Sequence, residues 1–440
     1  MSFDNSLRDE WSYDGGNGIV GWRGLTWEVL VRRSWFPRWL AVEKDFALTR
    51  YQAIVDSPDS FEIDREGDSS LSTKPTYAAI RVNDLLEAVT ESYKPLQEFS
   101  QKIQFLIDIQ IAIFDMFHQR LRDSLSAYQS LTSSIGRNLQ GASRETQQEM
   151  QGLGGLERLC RIFGSSEYLE RKMRDWCDDI FFVELWDELQ YRAKRESRNK
   201  KFAGQMSIED VAEKTSNAIE SSEDTGALFD ETANAYRRLR TKTEDAIQDK
   251  VTAGLRENLR PYKRINPWSS LSTLDTSTPL ALTAELDAAV QYLDTNLSFL
   301  FDIFSQASLR RIGRQVTLAA QSFMWDSVLM RYTFSVAGTA QFKRDIEVIC
   351  ATINKWLGQG QAEYGMRRLK EALVLLELPM QTDDSENVDS GSGLGFWDVE
   401  ERLFQNNESA REVLEELGVE VLSGTDARGT LSRRVELRSV

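Results

Sequence analysis

The chain offers few residues with which a catalytic or metal site could be built. Its single histidine, His118, lies between Phe114 and Leu121 on a predicted amphipathic helix. A Ser-His-Asp triad or a histidine-containing zinc site would have to use this one side chain. Its place on an amphipathic helix favours a structural or surface histidine over a catalytic one.

The cysteines and glycines do not form a chemical motif either. Cys160, Cys177 and Cys350 are odd in number, far apart and without CxxC spacing, which indicates buried free thiols in a reducing compartment. Gly358 and Gly360 vaguely resemble a phosphate loop, but they follow a predicted helix and no Gly-Lys-Ser/Thr comes after them. We therefore predict no catalytic residue, no metal and no cofactor. A helical enzyme with an unrecognised carboxylate site remains the alternative from another class.

Composition narrows the partners and the fold class. The 440 residues carry a net charge of −16, which argues against nucleic acid as a partner because phosphate binding needs a basic surface. No apolar run reaches the roughly 18 residues that span a bilayer. No proline lies between Pro95 and Pro261 or between Pro279 and Pro379. Because proline breaks helix interiors, these gaps predict an all-α protein with long helices.

Hydrophobic residues recur at three- and four-residue steps in most of the chain, which predicts amphipathic helices grouped in bundles. Polar, Gly-rich and Pro-containing stretches separate these groups. The predicted organisation is a flexible N-terminus (1–20), a Trp-rich helical bundle (21–131), a central bundle (156–260), a C-terminal bundle (279–378), an acidic Ser/Gly linker (379–395) and short C-terminal helices (396–440).

One segment of the C-terminal bundle combines several residues that favour a turn between helices. It contains Phe334, Ser335, Gly338, Gln341 and Asp345, in the pattern Phe-Ser-x-x-Gly-x-x-Gln-Phe-x-x-Asp. The pattern predicts a tight helix–helix corner, because glycine tolerates close backbone approach and positive φ. We expect the phenylalanine to be buried and the glutamine or aspartate to act as a cap. These roles are structural rather than catalytic.

Other segments accompany this corner in a particular order. They are the run Trp35 to Leu48, which includes Trp39 and Glu43; the tetrapeptide Tyr93-Lys94-Pro95-Leu96; and the stretch around Trp176. Together with the corner, they resemble the Rad-fifty-interactor/Tip-twenty (RINT/TIP) family of vesicle-tethering subunits. The resemblance covers roughly residues 22–378 and, more weakly, the tail. Each motif is mostly a helix-core pattern, so the resemblance depends on their ordered occurrence.

The resemblance implies an elongated rod of stacked helical bundles, like other subunits of multisubunit tethering complexes. It implies a non-enzymatic subunit for Golgi-to-ER retrograde transport of COPI vesicles. The implied partners are the N-terminal domain of an ER SNARE and other tether subunits. The implied location is cytoplasmic and peripheral at the endoplasmic reticulum membrane, with only indirect membrane contact. The alternative within the same class is a subunit of a related exocyst or endosome-to-Golgi tether.

The resemblance also raises a question about the tryptophans. Family members usually carry a further N-terminal half, which we expect to be missing here. Trp22, Trp27, Trp35 and Trp39 would pack near that half, so some of them are expected to be exposed. Tryptophan is common both in cores and in interface hot spots, and both roles stay open at this point.

Overall fold

The computed structural model describes residues 2–13, 22–66, 72–132, 150, 152–195, 203, 206–216, 226–271, 280–380 and 394–438. Within these ranges the protein is all-α, as predicted. The extended backbone found there is limited to isolated bridges, such as the one between Ile63 and Thr76. The predicted linker at 379–395 lies almost entirely outside the described residues.

The contacts group the chain into two compact units, 1–67 with 73–244, and 68–72 with 245–440. This division differs from the three predicted bundles and separate tail. The helices predicted for the first two bundles share one core, and the tail helices pack within the second unit. The boundary at Glu244 and Asp245 falls inside a continuous helix, where no composition change marks it.

The first unit contains ten α-helices in the described part of the chain, the last of which continues into the second unit. They are α1 (Ser2–Asp9), α2 (Leu25–Trp27), α3 (Phe36–Val55), α4 (Tyr77–Tyr93), α5 (Phe99–Phe105), α6 (Ala112–Thr132), α7 (Leu153–Cys177), α8 (Ile180–Arg195), α9 (Ile208–Lys214) and α10 (Asp230–Asn258). A π-helical turn, Leu106–Ile111, joins α5 to α6.

An aromatic cluster forms the centre of the first unit. Phe114 of α6 is fully buried, and its ring lies 5.8 Å from that of Trp176, 6.2 Å from that of Phe229 and 6.2 Å from that of Tyr236. The Tyr236 hydroxyl donates a hydrogen bond of 2.8 Å to the Phe114 carbonyl oxygen. Because this cluster joins α6, α7 and α10, residues from both predicted bundles belong to one core.

The N-terminus differs from the prediction of a flexible segment at 1–20. Residues Ser2–Asp9 form α1, while 14–20 lie outside the described residues. Asp4 is buried, and its carboxylate accepts hydrogen bonds from the backbone N–H groups of Leu25 (2.9 Å) and Thr26 (2.8 Å). A carboxylate at these free N–H groups stabilises the start of α2 and fixes α1 against it. This pairing is separated by more than twenty residues, so the local pattern does not reveal it.

The second unit begins within α10 and contains nine further described helices. They are α11 (Arg260–Arg264), α12 (Asp287–Phe301), α13 (Gln306–Met324), α14 (Val336–Leu357), α15 (Gln361–Gly365), α16 (Arg367–Leu376), α17 (Phe396–Gln405), α18 (Asn407–Glu416) and α19 (Gly424–Leu431). A π-helical turn, Trp325–Leu329, ends α13.

The tail is tied to α16 by buried charged groups. The carboxylate of Glu371 accepts hydrogen bonds from the backbone N–H groups of Val421 (2.7 Å) and Leu422 (2.9 Å). Arg434 is fully buried and donates to the carbonyl oxygens of Leu376 (2.6 Å) and Leu378 (3.1 Å). An arginine at the last carbonyls of a helix satisfies acceptors that the helix leaves free. The tail is therefore an integral part of the second unit.

Lys250 of α10 is expected to make the free energy of unfolding depend on pH. Burial lowers the pKa of Lys250 to about 8, from an ordinary value of 10.5. Between these two pKa values, the folded chain binds fewer protons at Lys250 than the unfolded chain does. Lys250 therefore makes the free energy of unfolding rise with pH in that interval. We expect Lys250→Met to raise the free energy of unfolding at pH 7 by about 1–3 kcal/mol. Urea unfolding at pH 7 and pH 10 should show this gain shrinking at the higher pH.

The matched control is Lys242→Met on the same helix, since Lys242 is exposed. It should change the free energy of unfolding by less than about 0.5 kcal/mol at both pH values. An equal effect of the two substitutions, or a gain for Lys250→Met that does not depend on pH, would contradict the burial effect.

Candidate functional site

The predicted corner is built around the N-cap of α14. Ser335 caps this helix: its Oγ accepts a hydrogen bond of 3.1 Å from the Gly338 N–H. The same oxygen lies 3.1 Å from the carbonyl oxygen of Trp268 and 3.0 Å from that of Leu271. The Ser335 N–H donates to the Trp268 carbonyl at 2.9 Å. One serine thus starts the helix and also fixes it to the preceding segment.

Gly338 is required by close packing, which is one of the two properties of glycine behind the predicted corner; the other, positive φ, is not used here. It lies within α14 and has a helical backbone. A Cβ atom added here would lie 1.9 Å from the carbonyl oxygen of Trp268. No side chain larger than hydrogen fits unless the backbone moves, so the glycine permits α14 to contact the 267–271 segment directly.

Asp345 is the central polar group of the corner. Its carboxylate is fully buried and accepts hydrogen bonds from the Tyr262 hydroxyl (2.8 Å), the Thr283 hydroxyl (2.6 Å) and the Thr283 N–H (3.1 Å). Gln341 Nε2 lies 3.1 Å from the same carboxylate and donates to the Ala281 carbonyl at 2.8 Å. These contacts join α11 and the segment before α12 to α14.

Phe334 completes the corner on its apolar side. Its side chain is fully buried, with ring centroids 5.7 Å from Trp268 and 5.3 Å from Phe342. Its backbone N–H donates to the Arg433 carbonyl at 2.7 Å, and its carbonyl accepts from the Val435 N–H at 3.1 Å. The corner residues are therefore held by contacts within the second unit, which supports a structural role for them.

The residues of the first unit that belong to the family pattern lie in different environments. Tyr93 is buried, with its ring stacked 5.3 Å from Phe105 and its hydroxyl bonded to Gln110. Trp39 is half-buried, and its Nε1 donates a hydrogen bond of 3.0 Å to Glu43. The structure brings Trp39 and Tyr93 onto the same Phe105 ring, since Trp39 lies 4.9 Å from it.

Pro95 and Trp176 lie outside that group. Pro95 is exposed at the edge of a cleft of about 150 Å³, which Asp4 and Trp27 also line. Trp176 is half-buried and contributes to the central aromatic cluster, with its ring 5.9 Å from that of Phe182 and 5.6 Å from that of Phe229. Its contacts are those of a core side chain.

The exposed face of α3 is the candidate contact surface of the first unit. Trp35, just before the helix, is 52% exposed, and Val42 and Phe46 on the helix are 65% and 60% exposed. Their spacing of seven and four residues places them along one side of the helix. We call these three residues the α3 stripe. Arg38 stacks 5.4 Å from the Trp35 ring, and Arg50 is exposed one turn beyond Phe46. Two roles were left open for the tryptophans, core packing and contact at an interface. The exposure of Trp35 fits contact at an interface.

The groups considered for chemistry have structural environments. Burial lowers the pKa of His118 below its ordinary 6.5, and the ring packs 5.2 Å from that of Tyr236. Burial also raises the pKa of both Cys177 and Cys350 to about 11, so these thiols are protonated and weakly nucleophilic at neutral pH. Gly358 ends α14 with φ of +100°, so this glycine follows a helix, as the sequence indicated, and forms the turn at its end.

Among the residues the structure describes, no group of three or more His, Cys, Asp or Glu side chains could hold a metal ion. None of the helices in those ranges is long and apolar enough to cross a membrane.

Sequence reasoning missed several residues on which the structure depends. Asp4, Glu371 and Arg434 are buried charged groups whose partners lie more than twenty residues away. Gln190, on a wall of a small pocket, was also missed. The sequence contains no local signal for any of them, because each lies in a charged or mixed helical stretch of ordinary composition.

Fold and site together define an all-α protein whose polar groups support packing and whose exposed aromatic residues are available for protein contact. A family model described as the RINT-1/TIP-1 family matches residues 1–434. The chain therefore belongs to this family, as the sequence resemblance predicted.

Three comparisons illustrate the relationship. Protein transport protein tip20 of Schizosaccharomyces pombe is 21% identical over 411 residues, which are 91% of this chain and 52% of that protein. A RINT1-like protein of Drosophila melanogaster is 20% identical over 351 residues, 79% of this chain and 39% of that protein. A crystal structure of the SNARE Sec20 bound to Dsl1 complex subunit Tip20 superposes with a TM-score of 0.64 at 20% identity, covering 98% of this chain and 62% of that chain. The chain thus spans about half, or less, of the curated relatives it matches.

Gly338 provides a direct test of the corner. Gly338→Ala places a methyl group against the Trp268 carbonyl, so we expect the free energy of unfolding to fall by about 3 kcal/mol. Gly424→Ala at the start of α19 is the control, since its new Cβ would lie 3.8 Å from the Ala410 side chain, an ordinary contact distance. That control should keep or raise stability, because alanine favours helix over glycine by about 1 kcal/mol. Unfolding in denaturant measures the free energy of unfolding of both variants. Equal values for Gly338→Ala and Gly424→Ala would contradict the packing argument.

Proposed function

We propose that the protein is a non-enzymatic subunit of a vesicle-tethering complex for Golgi-to-ER retrograde (COPI) transport. In this proposal it binds the N-terminal domain of an ER SNARE and other tether subunits, and it is cytoplasmic and peripheral at the endoplasmic reticulum membrane. The observation that carries the proposal is the family match over residues 1–434.

The descriptions of the related proteins support this proposed role. One is described as a protein transport protein, and the similar solved chain is a Dsl1 complex subunit bound to a SNARE. Those descriptions concern the relatives, of which this chain spans only part, so we transfer the role as a proposal. The exocyst or endosome-to-Golgi alternative is not favoured, because the reported relatives are Tip20 and RINT1-like proteins.

The proposed mechanism is mechanical and needs no reacting group. Capped helices and buried hydrogen-bonded charged groups hold each unit together, and binding uses exposed helical faces of modest area. The chain would then bind a SNARE and another tether subunit through separate faces. The enzymatic alternative would require a carboxylate site, and the buried carboxylates Asp345 and Glu371 are both occupied by backbone or hydroxyl donors.

The α3 stripe is the surface that we assign to another tether subunit. Its apolar side chains follow one side of a helix, the arrangement that a second amphipathic helix recognises. The flanking Arg38 and Arg50 are basic in a chain of net charge −16. Asp45 is also exposed beside Phe46, so charges of both signs border the stripe and would set the register of a partner helix.

The first test of the proposed function is affinity capture with the chain of residues 1–440. The bait is incubated with cytosol and detergent-solubilised endoplasmic reticulum, and bound proteins are identified by mass spectrometry. We expect ER SNAREs and tether subunits of the same complex. Specific recovery of exocyst or endosomal subunits instead would contradict the proposal. Direct titration with the recombinant N-terminal domain of the recovered SNARE then measures the affinity.

A second test addresses the α3 stripe. Val42→Ser with Phe46→Ser removes exposed apolar surface, so we expect recovery of the tether subunit to fall about tenfold with thermal stability unchanged. The control is Tyr364→Ser, a 72% exposed aromatic residue of the second unit. Capture of the SNARE should persist in both variants. Undiminished recovery of the tether subunit by the double variant would remove the stripe from the interface.

A further inference from the structure

The hairpin of α17 and α18 in the second unit exposes two aromatic side chains that its own packing does not use. α17 packs into the unit through Phe396, Val399 and Leu403, whose side chains are fully buried. Trp397 and Phe404 lie outside this packed face and are 43% and 45% exposed. Because they are seven residues apart, they lie along one side of the helix. We call these two residues the α17 aromatic pair.

Two glutamates border the aromatic pair. Glu400 and Glu401 follow Trp397 by three and four residues, which places one of them on each side of the line from Trp397 to Phe404. Glu401 is exposed and Glu400 is half-buried. In the part of the chain that the structure describes, neither carboxylate forms a salt bridge. Both are therefore available to a cation that approaches the aromatic pair.

The hairpin as a whole has the same sign of charge. Residues 396–420 contain eight acidic and two basic residues, which gives a net charge of −6. One of the two basic residues, Arg402, lies on the opposite side of α17 from the aromatic pair and is paired with Glu416 at 2.7 Å. It therefore does not neutralise the glutamates beside Trp397.

The basic residues of the neighbouring helices do not reverse this charge. Arg411 of α18 is exposed and lies three residues after Glu408 and four before Glu415, spacings at which side chains on a helix are neighbours. Arg428 is the basic residue of α19, and it donates to the carbonyl oxygens of Leu403 at 2.6 Å and Asn406 at 3.2 Å. The charge beside the aromatic pair is thus predominantly negative.

An aromatic pair between carboxylates selects the chemistry of its partner. A lysine or arginine can pair with a carboxylate and can also lie over the face of a tryptophan ring. A basic amphipathic helix carries apolar residues at three- and four-residue steps with such cations beside them. Where two helices pair, the charged residues that border the apolar seam decide which partner is accepted. The α17 surface therefore fits a basic helix.

Other occupants carry the wrong charge. In a symmetric contact, a second copy of the hairpin would bring a net charge of −6 against −6, and like charges repel across an interface. Residues 381–393, which precede α17 in the chain, contain four acidic and no basic residues. Nucleic acid and an anionic membrane surface are disfavoured for the same reason.

We propose that the α17 aromatic pair binds a basic amphipathic helix of a protein partner. Apolar side chains of that helix cover Trp397 and Phe404, and its lysines or arginines pair with Glu400 and Glu401. The inference goes beyond the tethering proposal, which assigns no role to this hairpin. It does not rest on that proposal, because its test measures the binding of designed peptides.

The probe is a fluorescein-labelled, 18-residue helical peptide of leucine and lysine, titrated with the full chain at 0.15 M salt and read by fluorescence anisotropy. A matched peptide has glutamate in place of lysine. We expect the lysine peptide to bind at least about tenfold more tightly than the glutamate peptide, because the surface beside the aromatic pair is acidic. Equal affinity of the two peptides would overturn the proposal.

Two double variants locate the binding. Trp397→Ser with Phe404→Ser should weaken binding of the lysine peptide at least about tenfold, because aromatic side chains dominate such contacts. Glu400→Gln with Glu401→Gln changes charge with little change of shape and keeps the fold. It should weaken binding at least about fivefold through loss of the ion pairs. Wild-type affinity of either double variant would show that the peptide binds elsewhere.

The matched control removes the same charge from another place. Glu209 and Glu213 are exposed on α9 of the first unit, so Glu209→Gln with Glu213→Gln should change the affinity by less than about twofold. An effect as large as that of the Glu400 and Glu401 variant would mean that the peptide responds to net charge alone, and the proposal would be wrong.

Light scattering tests the rival occupant. We expect no dimer of the wild-type chain that depends on the aromatic pair. A dimer that Trp397→Ser with Phe404→Ser dissociates would assign the pair to a second copy of the chain and would overturn the proposal.

Discussion

The buried carboxylate of Asp345 is the interaction on which the second unit depends. It gathers two hydroxyls and a backbone N–H from segments that no continuous helix connects. An ionised group is buried only when its hydrogen-bonding capacity is filled, so every donor must be in place before α14 can pack. Gly338 and Ser335 serve the same junction, because they bring α14 within hydrogen-bonding distance of the Trp268 carbonyl. The corner therefore fixes geometry and leaves binding to other surfaces.

In such a protein, function depends on the side chains that packing within each unit leaves exposed. The corner, the aromatic cluster and the tail are held together by contacts within their own unit. By contrast, Trp35, Val42 and Phe46 expose large apolar side chains along one side of α3. Apolar surface of this kind gains free energy when a partner covers it, which is the expectation for a member of an assembly.

The sequence predicts those features that depend on neighbours close along the chain. Proline-free stretches and three- and four-residue periodicity predict the helices. The N-cap of α14 is Ser335, whereas the pattern led us to expect the glutamine or aspartate in a capping role. Gly338 serves the close backbone approach that the pattern allowed and not positive φ, and the pattern alone does not distinguish these two properties of glycine. The helix α1 was missed, since Asp4 acts on N–H groups more than twenty residues away. Gln190 could not be recognised, because burial without a partner is a property of the assembled core.

The charges that border the α3 stripe have a consequence for assembly. Apolar area gives affinity with little selectivity, since any amphipathic helix carries a suitable face. Arg38, Asp45 and Arg50 place charges of both signs beside the stripe. Because like charges across an interface repel, a partner helix fits only in the register that sets its own charges against the opposite ones. The order of charges therefore gives an apolar surface the selectivity that a subunit of an assembly requires.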